Sequence, residues 1–291
     1  MIAIDWGTTS FRAFRLAADG AILARAQAPD GILAVQDQDF ASVLRRHIGA
    51  WIADGERQVL LSGMVGSRQG WVEAPYAPCP AGAADIAAAL VRVPFADAET
   101  LLVPGLSDRD EGGVPEVMRG EETQIIGVID YLADGIACLP GSHSKWARIG
   151  GGRILGYRTF FSGEAFAAMR SATILGRMMQ DGETDLPAFA RGLARAGDGG
   201  HLLHHLFGVR TLGLFGQLAE SDSASYLSGL LIGHEVRAAM PPGARVHLIG
   251  APALCGLYAR AIEAAGGMAI LEDSDAAARG LYLIGRTAPW S

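Results

Sequence analysis

Lysine is almost missing from this chain: of 24 basic residues, Lys145 is the one lysine, and arginine supplies the rest. That scarcity excludes a G-x-x-x-x-G-K-[ST] phosphate loop, because Lys145 follows Ser144 and no second lysine can fill the position. It also excludes the protein-kinase pattern, which needs its own lysine apart from the HRD and DFG elements. Positive charge is in deficit, with a net charge of −7 over 291 residues. No extended positive field is therefore available to displace counter-ions from nucleic acid or anionic lipid, and general nucleic-acid binding is excluded as the main function. The three cysteines (Cys79, Cys138, Cys255) are odd in number and lack a C-x-x-C spacing, which argues against a disulfide framework or a cysteine zinc site and for buried thiols. Long apolar runs are absent too: Asp130 and Asp134 interrupt the best candidate, short of the roughly 18 residues of a span. The opening Met1-Ile2-Ala3-Ile4-Asp5 carries neither a basic region nor a small-residue cleavage site, so the expectation is a cytoplasmic protein without membrane partners.

What is present is a chain that is 50% hydrophobic with 39 glycines, enough to bury a sizeable core and make many tight turns. Its length allows two lobes. The pattern predicts strands over Ile2–Trp6, Phe11–Leu16 and 21–27 joined by tight turns, then a helix over 40–54 and a buried strand over Gln58–Ser62. Residues 63–83, rich in Gly, Pro and aromatics, read as a functional loop, followed by a strand at 101–103 and a helix over 122–132. At residue 136 the opening pattern returns. Gly7-Thr8-Thr9-Ser10-Phe11-Arg12-Ala13 matches Gly141-Ser142-His143-Ser144-Lys145-Trp146-Ala147 in residue type at most positions, so the chain reads as internally duplicated. Helices are expected at 163–180, 186–196, 201–219, 223–240, 253–265 and 274–286, with strands at 246–249 and 268–271. The class is α/β, with an N-terminal lobe over 1-134 and a C-terminal lobe over 135-291.

Two hairpins with small, hydroxyl-rich turns can aim backbone N–H groups and hydroxyls at a polyphosphate held between them. Gly7, Thr8 and Thr9 stand on one side, and Gly141, Ser142, His143, Ser144 and Lys145 on the other. A lone lysine in such a turn suits a compact donor to phosphate, a role a planar guanidinium fills poorly. Asp5, at the end of the first strand, is placed to hold the water shell of Mg²⁺. This arrangement resembles the two phosphate motifs of the actin, Hsp70 and sugar-kinase superfamily, a two-lobed actin-like ATPase fold of duplicated ribonuclease H-like domains around a central nucleotide cleft. In that superfamily a third element grips adenosine, and the strand, turn and helix start at Gly250-Ala251-Pro252 match it.

Longer strings narrow the resemblance. Ser62–Trp71, Met118-Arg119-Gly120-Glu121-Glu122-Thr123-Gln124, Leu139–Trp146 and Phe161-Ser162-Gly163-Glu164 are similar to the 2-dehydro-3-deoxygalactonokinase family, from residue 1 to the C-terminal helices. The family's usual threonine is replaced by Ser142, which keeps the hydroxyl. The resemblance implies ATP-dependent, Mg²⁺-assisted phosphorylation of the C6 hydroxyl of 2-dehydro-3-deoxy-D-galactonate in galactonate degradation. It implies Glu121 as the base, with Glu122 as competitor, and Ser67, Arg68, Gln69 and Trp71 as sugar-acid contacts. Arg68 suits the carboxylate because its fork pairs bidentately, and Arg119 is the alternative. Competing readings are a kinase of another hexonate or a neutral sugar, and a nucleotide-dependent regulatory module on the same scaffold. The oligomeric state stays open, with a homodimer admitted. His201, His204 and His205 share a helix face, yet no further ligands accompany them as a metal site requires.

Overall fold

The computed structural model describes residues 1–132, 134–273 and 275–291. Strands β1 (Ile2–Trp6), β2 (Phe11–Leu16) and β3 (Ile22–Ala28) form the expected antiparallel meander. Helix α1 (Phe40–Ala53) starts at Asp39, whose side chain accepts the Ser42 N–H, and buries Phe40, Val43, Leu44, Ile48 and Ile52, the residues that recur at helical spacing. Strand β4 (Gln58–Ser62) then runs parallel to β1, setting Asp5 beside Ser62. Within 63–83, the stretch read as loop, β5 (Ala77–Pro78) is ordered and α2 (Ala83–Ala88) begins at its end; β6 (Val91–Arg92), β7 (Glu99–Leu102), β8 (Leu106–Arg109) and β9 (Pro115–Met118) follow. Two-residue strands carry no readable alternation, which is why the pattern missed them. Helix α3 (Glu121–Leu132) follows.

The second copy opens with β10 (Gly135–Leu139), β11 (Ser144–Gly150) and β12 (Arg153–Phe160), then α4 (Ser162–Ala172), α5 (Leu186–Ala196), α6 (Leu202–Leu214) and α7 (Ser223–Ala239). It closes with β13 (Arg245–Leu248), α8 (Pro252–Ala264), β14 (Met268–Leu271) and α9 (Ala276–Gly285). Two expectations are corrected. The helix expected over 163–180 stops at Ala172, where Thr173 turns extended and its hydroxyl donates to the Met169 carbonyl at 2.6 Å. The helix expected over 201–219 stops at Leu214. Ser274, where the sequence reading starts the last helix, and Ala133, within the expected first lobe, lie outside the described residues.

The sheet order β12-β11-β10-β13-β14 repeats the order β3-β2-β1-β4-β7, to which β6 is added at the edge. The duplication seen in a seven-residue string is thus a duplication of topology. The chain divides into two compact units: Met1–Asp134, Ala147–Tyr157 and Asp273–Ser291 in the first, Gly135–Trp146 and Arg158–Glu272 in the second. The chain changes unit after Asp134, Trp146, Tyr157 and Glu272. The expected second lobe, however, is not contiguous, because α9 packs on α3 within the first unit. Glycine is needed at that crossing: a Cβ on Gly127 would lie 1.9 Å from the Ala276 carbonyl, and one on Gly280 1.8 Å from that of Thr123.

Each unit has its own core. In the first, Trp6 meets Phe11 and Phe40 edge-on at 5.0 and 5.5 Å, beneath the β1–β2–β4 face. In the second, Trp146, Phe189, Val246, Tyr258 and Ile262 fill the space between the sheet and α5, α7 and α8. Full burial of side chains this size contributes about 1.5–3 kcal/mol each, so strand ends are held firmly enough to fix a site.

Candidate active site

In the first unit, three chain segments converge where β1 and β4 end. Asp5 closes β1, and the chain leaves β4 through Gly63, whose φ of +95° suits glycine; a Cβ there would lie 2.8 Å from the Trp6 carbonyl and 3.3 Å from Asp5 Oδ1. Gly120, immediately before α3, packs on Gly63 Cα in turn. The stacking of these two glycines brings the α3 N-terminus, with Glu121 and Glu122, to the end of the strands that carries Asp5. Arg12, directly opposite Asp5 on β2, forms an ion pair with it. No group of three or more His, Cys, Asp or Glu able to hold a metal exists among the described residues. A single strand-end carboxylate nevertheless fits Mg²⁺, which binds through one or two carboxylates plus substrate phosphates and keeps its waters.

The two glutamates have different environments. Glu122 is fully buried, accepting the Gly120 N–H at 2.7 Å and the Thr123 hydroxyl at 3.1 Å, and Thr123 continues to Ser62 at 2.7 Å. Burial, reinforced by the neighbouring Glu121 charge, pushes its pKa up to about 8. Glu121 is only half-buried and accepts the Arg119 N–H at 3.0 Å. Glu122 is therefore tied into the interior of the fold, while Glu121 keeps contact with solvent at the helix start.

The turn between β1 and β2 is braced from outside. Thr8 and Thr9 are exposed, and Ile32 and Leu33 donate their N–H groups to the Gly7 and Thr8 carbonyls at 3.0 and 3.2 Å. Gly31 makes this approach feasible, since a Cβ there would lie 2.4 Å from Thr8 O and from Thr9 Cα. Trp6 Nε1 donates to the Asp30 carbonyl at 2.8 Å, anchoring the same segment.

The expected sugar-acid residues do not form one surface. Trp71 packs at the rim of the core, stacked on Phe40 at 6.0 Å and edge-on to Phe95 at 6.1 Å. Gln69 is exposed. Arg68 has a side chain 88% exposed and paired with Glu73 at 3.4 Å. Arg119, by contrast, lies against the Tyr76 ring at 4.4 Å and donates Nη2 to the Ala74 carbonyl at 2.7 Å. Its Nε and Nη1, like Ser67 Oγ, are buried without a hydrogen-bond partner, an expensive state for charged donors.

In the second unit, Ser142 and His143 are exposed at the turn. His143 bonds Glu164 at 2.5 Å and stacks on Phe161 at 5.3 Å. Lys145 is buried and donates Nζ to the His143 carbonyl at 3.2 Å. Behind the turn lies a polar network: Ser144 Oγ bonds Tyr258 Oη at 2.8 Å, Tyr258 donates to Glu235 at 2.9 Å, and Trp146 Nε1 donates to the other Glu235 oxygen at 2.8 Å. Burial raises the Glu235 pKa, opposed by hydrogen bonds from Ser162, Trp146, Tyr258 and Ser144. Beside Gly141 opens a cavity of about 320 Å³ walled by Phe166, Leu254, Leu257 and Tyr258, with Gln180, Glu183, Ser225 and Ser228 as polar groups. Apolar walls with a few polar groups suit a flat heteroaromatic ring bearing a sugar. Gly250, Ala251 and Pro252 are exposed at the start of α8, and the α8 wall of this cavity begins two residues later at Leu254.

Sequence reasoning missed Gly31, Glu235, Tyr258 and the cavity walls. Glu235 had a signal, as the one acidic residue within α7; Gly31 had none beyond an Asp-Gly turn. Among the described residues the histidines belong to no group of three or more metal-binding side chains; His205 is buried and bonded to His234 at 3.0 Å.

This duplicated topology, with a carboxylate and two hydroxyl-bearing turns at strand ends, defines an actin-like ATPase fold of the sugar-kinase kind. The activator of the 2-hydroxyisocaproyl-CoA dehydratase from Clostridium difficile, solved with ADPNP bound, shares that fold with a TM-score of 0.52 at 13% identity, over 99% of this chain and 95% of its own. A family model described as 2-keto-3-deoxy-galactonokinase matches residues 5–284, and the chain belongs to that family of carbohydrate kinases. Among its relatives, "Probable 2-dehydro-3-deoxygalactonokinase DgoK1" of Rhizobium meliloti (strain 1021) is 36% identical, covering 99% of this chain and 97% of that protein. The 2-dehydro-3-deoxygalactonokinase of Escherichia coli (strain K12) is 32% identical, covering 91% and 90%. A crystal structure of a Sinorhizobium meliloti protein described as a 2-dehydro-3-deoxygalactonokinase superposes with a TM-score of 0.89 at 35% identity, over 98% of each chain. Among the described residues, no helix is long and apolar enough to cross a membrane.

Proposed function

We propose that the chain transfers the γ-phosphoryl group of ATP to the C6 hydroxyl of 2-dehydro-3-deoxy-D-galactonate, giving 2-dehydro-3-deoxy-6-phosphogalactonate and ADP. Family membership across residues 5–284 carries this reading. The bond from O6 to phosphorus forms as the bond to the ADP oxygen breaks. Glu121 orients the hydroxyl and takes its proton, a role open to it as the half-buried carboxylate at the α3 start. Gly7, Thr8 and Thr9 contribute one set of phosphate contacts, and Gly141, Ser142, His143 and Ser144 another. Asp5 would hold Mg²⁺, which when bound neutralises phosphate charge. Lys145, through its contact with the His143 carbonyl, fixes the shape of the second turn. Arg119 binds the substrate carboxylate, because two of its donors, Nε and Nη1, are buried without a partner beside the likewise unpartnered Ser67 hydroxyl; Ser67 supplies a neighbouring hydroxyl, and Arg68, Gln69 and Trp71 shape the outer rim. The cavity beside Gly141 takes the adenosine. The proposed setting is the cytoplasm, and the proposed assembly is a homodimer.

The test is a coupled assay of ADP release over a panel of sugar acids and neutral sugars. Turnover with 2-dehydro-3-deoxy-D-galactonate well above the rest is expected. A neutral sugar preferred over every acid would overturn the reading.

A further inference from the structure

Helix α6 is apolar on two sides. His205, Leu206 and Val209 face its own core, where they meet α5 and α7. On another face Leu203, Phe207, Arg210 and Leu214 recur at spacings of four, three and four residues, which sets them in one stripe along the helix. Leu203 is 72% exposed, Phe207 57%, Leu214 58%, and the adjoining Phe215 78%. Helices that are apolar on both sides are ordinarily covered on both. Arg210 is the single Asp, Glu, Lys or Arg between Gly199 and Ala219, and its Nε is buried without a hydrogen-bond partner. Few charges at the centre and an arginine beside aromatic groups are the composition of an interface core.

The order of the stripe indicates what covers it. It is Leu, Phe, Arg, Leu. About a two-fold axis, an antiparallel second copy sets Leu203 against the partner's Leu214 and Phe207 against the partner's Arg210, and each relation holds in reverse. That is the self-complementarity a two-fold contact demands, and it puts a guanidinium over an aromatic ring twice. The chain carries a net charge of −7, so copies repel at long range, and this stretch without a single acid is a place where they meet without that penalty. At roughly 100–150 Å² for each of the four exposed side chains, two copies bury about 1,000 Å² of apolar surface, the size at which a specific interface begins.

The geometry points to the Leu203–Phe207–Arg210–Leu214 stripe of α6 as the surface through which two copies of this chain pair, antiparallel, helix on helix. The inference rests on the homodimer reading above and not on the identity of the substrate. Sedimentation of the full chain at micromolar concentration is expected to give twice the 30.4 kDa chain mass. Phe207→Glu is expected to raise the dimer dissociation constant at least 100-fold, with circular dichroism and kinase turnover unchanged. Independently, a mixture of Leu203→Cys and Leu214→Cys chains is expected to cross-link under mild oxidation, and Leu203→Cys alone is not; this arm holds even if Phe207→Glu fails to fold. A wild-type chain that stays monomeric overturns the homodimer reading altogether and leaves the face to a different protein. A wild-type dimer that survives Phe207→Glu, or fails to cross-link in the mixture, overturns this surface alone.

Discussion

The two turns proposed to hold phosphate follow one repeated pattern, yet they are built on opposite principles. Aligning Gly7 with Gly141 sets Asp5 against Leu139 and Arg12 against Trp146. The first copy carries its charges on the sheet itself, as the Asp5–Arg12 pair, and its turn is held by backbone contacts from Gly31 to Leu33. In the second copy Leu139 is apolar, and a carboxylate arrives from a helix instead: Glu235, joined to Trp146 and, through Tyr258, to Ser144. Duplication thus supplied the geometry twice and the strand-end carboxylate once. The first turn is sensitive to atoms added behind it, the second to atoms removed.

Breaking this asymmetry at its chemical end has the largest effect. Asp5→Ala is expected to abolish turnover while leaving circular dichroism intact, whereas Leu139→Ala should lose stability and keep measurable rate; an active Asp5→Ala enzyme would contradict the role of the first copy. Glu121→Gln should lower kcat by about 10²–10⁴, the loss expected when a general base goes, with nucleotide affinity by calorimetry nearly unchanged. Should Glu122→Gln show that loss instead, the base moves by one residue.

Next comes the comparison of the two arginines. Arg119→Ala should raise KM for the sugar acid roughly 10- to 100-fold, equivalent to about 1.5–3 kcal/mol for a charge-assisted hydrogen bond, and leave KM for ATP alone. Arg68→Ala should change either by much less, as an exposed pair contributes little.

The remaining tests read stability. Glu122 has a pKa raised to about 8 in the folded chain, against an ordinary value of 4.5. The folded state therefore holds a proton that the unfolded state has released. This contribution is complete below 4.5 and is lost as pH rises towards about 8, at about 1.4 kcal/mol per pH unit for one proton. Denaturation of wild type and Glu122→Gln across that window should show the difference narrowing to nothing at the acid end. Glu235 shifts in the same direction, so Glu235→Gln should also flatten the profile. Tyr258→Phe removes two hydrogen bonds, to Ser144 and to Glu235, at about 1 kcal/mol each, with a small rise in KM for ATP because Ser144 loses its anchor.

These contrasts also separate what the sequence made legible from what it hid. Strands with strong alternation or full burial, such as Ile2–Trp6 and Gln58–Ser62, were readable to the residue, because their period and their flanking turns agree. The repeat was readable because its turns need the same small residues in both copies. Helix ends were less so: the stop at Ala172 depends on the local turn at Thr173 and not on periodicity. Candidate site residues close in sequence to a motif, Asp5 and Glu121 among them, are nominated by the motif. Gly31 and Glu235 reach their turns from 23 and 91 residues away in the chain, counted from Thr8 and Ser144; standing alone as the acid of α7 marks Glu235, but a single sequence does not say which turn it meets.

The packing of α9 against α3 has a consequence for how the chain is made. The last helix also touches the first residues: the Tyr282 hydroxyl donates to the Ala18 carbonyl at 2.9 Å, and Arg25 pairs with Asp275 at 2.5 Å. Synthesis runs from the N-terminus, so the first unit emerges early but lacks part of its core until the final helix is released. The second unit, whose residues all precede Asp273, can finish first. The unit that bears Asp5 is begun before the second unit and completed after it, and a ribosome that stalls before α9 leaves behind a nascent chain with an open apolar face where α9 packs on α3 in the folded enzyme.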